Sequence, residues 1–105
     1  MGNMDICMLV FTGVVDADPE TLSSGRRAFT VSCKNAEKRP PLKIAVIAET
    51  QAMNIVPQKG DFVAVANASL YEERRAGCSF GAYAKHACSV NICARNEGIA
   101  DVDKF

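Results

Sequence analysis

Apolar residues alternate with small or polar ones along RAFTVSC, residues 27–33, and a period of two over seven residues describes a half-buried strand. Phe29, Val31 and Cys33 point one way; Ala28, Thr30 and Ser32 point the other. Four more runs have strand character: ICMLVFTGVV (6–15), LKIAVIA (42–48), FVAVANASLY (62–71) and HACSVNICA (86–94). The first contains Gly13, which predicts a bend or bulge there. In the third, Leu42, Ile44 and Val46 share a face. Only ETQAMNIV (49–56) changes period. Ala52, Ile55 and Val56 recur at helical spacing and Pro57 closes the segment, which predicts a short helix of about two turns.

The joints between these runs carry turn chemistry. Pro19 and Ser23-Ser24-Gly25 separate the first two strands, KNAEKRPP (34–41) the next two, and KGD (59–61) leads into the fourth. EERRAGCSFGAYAK (72–85) reads as a glycine-containing loop or hairpin. The order is three strands, a helix and two strands. That order is expected of an all-β, five-stranded OB-fold, a small Greek-key barrel with a short helix between strands three and four. The barrel is expected over residues 1–95, followed by a short acidic tail at 96–105.

A chain of 105 residues holds one such domain. No apolar run approaches the roughly 20 residues that span a bilayer, and no basic start precedes an apolar stretch, so neither a membrane span nor a secretory leader is expected. Five cysteines, an odd number set mostly inside strand-like runs, predict reduced, buried thiols and a cytoplasmic location.

Twelve basic and twelve acidic residues cancel, but they are segregated. Residues 1–25 carry four acids and no base, whereas 26–43 carry six bases (Arg26, Arg27, Lys34, Lys38, Arg39, Lys43) against Glu37 alone. Residues 74–95 hold Arg74, Arg75, Lys85 and Arg95 with no acid. Two basic blocks in a neutral chain mark a local anion-binding surface or solvated loops.

Several short motifs fall in a telling order: Gly13 at the end of the first strand, Asp18-Pro19-Glu20, the turn Ser24-Gly25, the strand Phe29-Thr30-Val31, and then Lys59-Gly60 followed by Val63 and Val65. In that order and spacing, roughly over residues 8–95, the chain resembles the single-stranded-DNA-binding proteins of bacteria and phages and their primosomal relatives. The resemblance implies an OB-fold that coats and protects single strands in replication or recombination. It also implies the alternative of a primosomal-type interaction module whose nucleic-acid binding is secondary. Members often place tryptophan near the start of the third strand, where Leu42 and Lys43 stand here, and glycine where Asn67 stands. The chain has no tryptophan at all.

An OB-fold binds across its second and third strands, between the loop joining strands one and two and the loop joining strands four and five. Both basic blocks then converge on one face. The expected nucleic-acid site is Arg26, Arg27, Lys34, Lys38, Arg39 and Lys43, with Arg74, Arg75 and Lys85 from the second loop. Without tryptophan, stacking on bases falls to Phe80 and Tyr83, which otherwise pack within their loop, and then to Tyr71 at the end of strand four. Phe11, Phe29 and Phe62 are expected in the core.

Cys78, His86, Cys88 and Cys93 form a nominal zinc set, but their spacing does not make paired Cys-x-x-Cys knuckles, and no metal or other cofactor is expected. A lone histidine, no glycine-rich phosphate loop and no paired carboxylates point away from an enzyme. The tail, with Asp101, Asp103 and terminal Phe105, either frays or resembles the acidic tips through which the family recruits replication proteins. A homodimer or tetramer is expected, with the first strand as one route to pairing.

Overall fold

A computed structural model describes residues 9–34, 41–71 and 77–95. The alternating runs become strands β1 (Leu9–Val15), β3 (Arg27–Cys33), β4 (Leu42–Ala48) and β5 (Phe62–Tyr71), and two shorter strands follow, β6 (Phe80–Ala84) and β7 (Val90–Ala94). A two-residue strand, β2 (Glu20–Thr21), folds back on β3. The order around the sheet is β1-β3-β4-β6-β5, and β1 pairs with β5 to close it. The β4–β6 pair is parallel; the other neighbours are antiparallel. This is the closed five-stranded barrel expected of an OB-fold.

The inward rows fill the barrel. Val15, Phe29, Val31, Ile44, Val46, Val63 and Val65 are buried, with Ala48, Ala82 and Ala84 where the strands converge. Each large aliphatic side chain contributes about 1.5–3 kcal/mol by leaving water. Phe29 is buried and Phe11 packs partly buried against the core, as expected. Phe62 is not in the core: it lies opposite Val14 on the outer face and is exposed.

Three local expectations are corrected. The helix after the third strand is only a 3-10 turn, Thr50–Ala52. The segment is tied at its start by Glu49 N to Ala84 O (2.9 Å) and limited by Pro57, so too few residues remain to offset helix nucleation. Of the residues at helical spacing only Ala52 is buried, Ile55 being exposed at 59 %; Met53 joins the core instead and bridges to Val90. Second, the fifth barrel strand is Phe80–Ala84, inside the segment expected to be a loop or hairpin. The run from His86 is broken at its start by a turn, with Ser89 N bonded to His86 O at 3.1 Å, so only Val90–Ala94 is strand, paired with the first half of β5.

Third, the bulge lies not at Gly13 but in β5. Leu9 pairs with Ala68 and Phe11 with Val65, which leaves one extra residue between Val65 and Ala68, and Asn67 there has φ 59. Asparagine tolerates this left-handed conformation better than most side chains do. Past the bulge β5 has left β7 and goes on to pair with β6, while Ala68 still pairs with Leu9 of β1. Gly13 answers a different need. A Cβ there would come within 2.5 Å of the Ser32 carbonyl oxygen, so β3 crosses too closely for any side chain.

The cysteines also depart from expectation. Cys33 is buried, Cys78 is half-buried, and Cys88 and Cys93 are exposed; Cys7 lies outside the described residues. Cys88 sits in the turn after β6 with φ 62, and Cys93 is the residue skipped where the β5–β7 register shifts.

Candidate nucleic-acid interface

Strand pairing decides which candidate residues share a surface. Ala45 of β4 lies between Thr30 of β3 and Gly81 of β6, and Ile47 lies between Ala28 and Tyr83. These are outward rows, because the intervening Ile44, Val46 and Ala48 are buried in the core. Lys43 begins the β4 row opposite Ser32. One step past the ladder, Arg26 and Glu49 extend it at the other end. On the far side of β6, Ser69 pairs with Tyr83 and Tyr71 with Gly81. Tyr71 and Tyr83 are therefore diagonal neighbours on this same face, a separation of about 7–8 Å between positions. The row between them and Lys43 is made of Thr30, Ala45 and Gly81, all small, of which Ala45 and Gly81 are buried and Thr30 is half-buried. Cations and aromatic rings flanking a row of small residues suit a strand of nucleotides.

Arg26, Lys43, Tyr71 and Tyr83 are thus brought together. Lys85 follows β6 directly and is exposed; its carbonyl accepts a hydrogen bond from Gln51 Nε2 at 3.0 Å. Lys34 is exposed just after β3. Two candidates lie elsewhere. Arg27 occupies the inward row opposite Ala48, and its Nε is buried without a hydrogen-bond partner. Phe80 pairs with Ile44 and packs against the core. Its ring belongs to the barrel strand rather than to a loop. Lys38, Arg39, Arg74, Arg75, Asp101, Asp103 and Phe105 lie outside the described residues.

The charges on the face are already engaged. Arg26 Nε lies 3.0 Å from Glu49 Oε2, and its guanidinium carbon is 5.6 Å from the centroid of the Tyr83 ring. The Tyr83 hydroxyl donates to the same Glu49 oxygen. That hydrogen bond pushes the Tyr83 phenol above its ordinary range, assisted by burial and the carboxylate's charge and opposed by Arg26. Lys43 Nζ meets Asp16 Oδ2 at 3.2 Å. Sequence reasoning passed over Glu49 and Asp16. The signal for Glu49 was its phase, since it continues the outward row of Lys43, Ala45 and Ile47.

Other contacts hold the rim. Cys78 Sγ lies 3.9 Å from Thr30 Oγ1, and Ser79 N bonds to Lys43 O at 2.8 Å, so the segment entering β6 lies along the outer side of β3 and β4. Lys59 N donates to Asp18 Oδ1 at 2.9 Å, which joins the Asp-Pro-Glu loop to the Lys-Gly turn. Gly60 has φ 91 and bonds through its N–H to Val15 O. The two motifs that stand far apart in the sequence are thus one structural unit. Next to them Asp61, buried, accepts from Gln58 N at 2.9 Å and pairs with Arg95 at 3.3 Å.

Among the described residues no group of three His, Cys, Asp or Glu side chains is placed to hold a metal ion, and no helix is long and apolar enough to cross a membrane. Comparison with known proteins found no matching family model, curated sequence or solved structure.

Proposed function

We propose that this protein binds single-stranded DNA on the outer face of β3, β4, β6 and the end of β5, coating and protecting strands during replication or recombination without catalysis. The observation that carries the reading is the gathering of Arg26, Lys43, Tyr71 and Tyr83, from four separate strands or strand ends, around a row of small residues. Arg26 and Lys43 meet phosphates. The tyrosines offer flat surfaces to bases, and a base stacked on an aromatic ring contributes about 1–3 kcal/mol. Lys34 and Lys85 extend the cationic path at its ends, and Lys38, Arg39, Arg74 and Arg75 are further candidates for phosphate contacts. The protein acts in the cytoplasm. It pairs as a dimer or tetramer through β1, where exposed Val14 lies opposite exposed Phe62 and Val10 (71 %) is exposed further along the strand. The tail at Asp101, Asp103 and Phe105 recruits replication proteins.

That same apolar strip favours a second reading, an OB-fold module whose main surface contacts protein. Titration of labelled oligo-dT at two salt concentrations separates the two. Single-strand binding is expected to weaken as salt rises, with a log–log slope no steeper than about −0.7 for each phosphate contact, hence no steeper than roughly −1.4 from Arg26 and Lys43 together. Absence of binding at low salt would leave the protein-interaction reading as the better one.

A further inference from the structure

Arg26 and Lys43 on this face are each closed by an acid of the same chain, Arg26 by Glu49 and Lys43 by Asp16. The Glu49 carboxylate does more than pair. Through one oxygen it accepts from the Arg26 guanidinium and from the Tyr83 hydroxyl. These are donors that a phosphate oxygen would use, and a guanidinium fits carboxylate and phosphate with the same fork. We infer that Glu49 is a built-in stand-in for phosphate, which a nucleic-acid strand must displace from Arg26 and Tyr83 to bind. This rests on the single-strand-binding reading above.

The backbone around Glu49 is fixed while its side chain is exchangeable. Its N–H bonds to Ala84 O at 2.9 Å and its carbonyl accepts from Ala52 N at 3.0 Å, so the main chain continues the β4–β6 ladder into the 3-10 turn. The carboxylate remains partly exposed, and Arg26 more so, at 23 % and 44 %. An ion pair this accessible is weak and yields to a competitor that brings several charges at once. A single small anion gains one contact for the displacement. A strand gains contacts along the whole face, so the pairing discriminates in favour of polymers. A released carboxylate also takes up a cation from solution. That uptake offsets part of the counterion release from the strand and makes the salt dependence of the parent shallower than its phosphate contacts alone would give.

Glu49→Gln keeps an oxygen to accept from Arg26 and Tyr83 but removes the competing charge. The variant is expected to bind oligo-dT about fivefold more tightly than the parent, equivalent to about 1 kcal/mol, and with a steeper salt slope. In an Arg26→Ala background the same substitution is expected to give little gain. A gain of equal size with and without Arg26 would mean a diffuse charge effect and would overturn the inference, as would unchanged affinity in Glu49→Gln when the parent binds. If the parent binds no oligo-dT, the single-strand reading fails, and inorganic pyrophosphate decides the local question. Tyr83 ring resonances that shift at lower pyrophosphate in Glu49→Gln than in the parent support the stand-in; equal titrations overturn it.

Discussion

Arg95 meets Asp61 at 3.3 Å and Arg26 meets Glu49 at 3.0 Å, two pairs of the same chemistry in different surroundings. Asp61 is 1 % exposed, tucked under the Lys-Gly turn, and its carboxylate also takes the Gln58 N–H. Glu49 sits at the edge of an open face and shares its donors with a tyrosine. Burial separates the roles. A carboxylate without water around it cannot lose its partner cheaply, so the Asp61 pair is scaffold; a carboxylate still in touch with water can exchange its partner, so the Glu49 pair is suited to a site.

The largest expected effect breaks the buried pair. Asp61→Ala leaves Arg95 without its partner and the Gln58 N–H without an acceptor in the turn. A loss of about 3–5 kcal/mol in unfolding free energy is expected by urea denaturation. Glu49→Ala, measured the same way, is expected to cost no more than about 1 kcal/mol. Equal losses would collapse the distinction between the two regions.

Phe80 and Tyr83 sharpen the same contrast within one strand, since β6 presents Phe80 to the core and Tyr83 to the outer face. Phe80→Ala is expected to lower stability by roughly 2–3 kcal/mol, below the range for fully buried rings because this one is only partly covered. Tyr83→Ala is expected to leave folding nearly intact and to weaken oligo-dT binding about fivefold, with little change in salt slope because a neutral phenol releases no counterion. Stability loss at Tyr83 and affinity loss at Phe80 would reverse the assignment.

These residues also mark how far sequence reasoning reaches. The period of two in RAFTVSC and LKIAVIA located β3 and β4 because both strands bury one face of large side chains. It failed on Phe80–Ala84, where the inward positions after Phe80 are alanines and Gly81 sits outside, so the contrast that reveals alternation is absent. The helical spacing of Ala52, Ile55 and Val56 reported neither a helix nor a shared buried face, since Ile55 is exposed. Charge segregation pointed to one outward face through Arg26 and Lys43, yet it placed Arg27 beside them, although neighbours in a strand face opposite ways. The acids that pair with the face were invisible for the reverse reason. Asp16 and Glu49 lie outside the basic block in sequence, and only the closing of β4 onto β3 and β6 brings Glu49 to Arg26 and Tyr83.

The smallest expected effect tests the hydrogen bond on which the Glu49 arrangement depends. Two tyrosines are present, so Tyr71→Phe leaves Tyr83 as the sole phenol. Its hydroxyl donates to Glu49, and ionising it would lose that bond and set a phenolate against a carboxylate, which is why its pKa is raised in the folded state. A raised folded pKa means that the bond's stabilisation is fully present below the unfolded tyrosine value of about 10 and is lost as pH rises through the higher folded value. In the Tyr71→Phe protein, tyrosinate absorbance is therefore expected to develop at higher pH while folded than in urea. Stability is expected to begin falling near pH 10, by no more than about 1 kcal/mol for a contact this exposed. Adding Glu49→Gln is expected to bring the folded titration back toward that of the unfolded chain. A folded titration that coincides with the unfolded one, with Glu49 intact, would mean that Tyr83 and Glu49 are not joined in solution. Glu49 would then hold Arg26 alone, and the open face would differ from the buried Asp61 clamp in exposure but not in its number of donors.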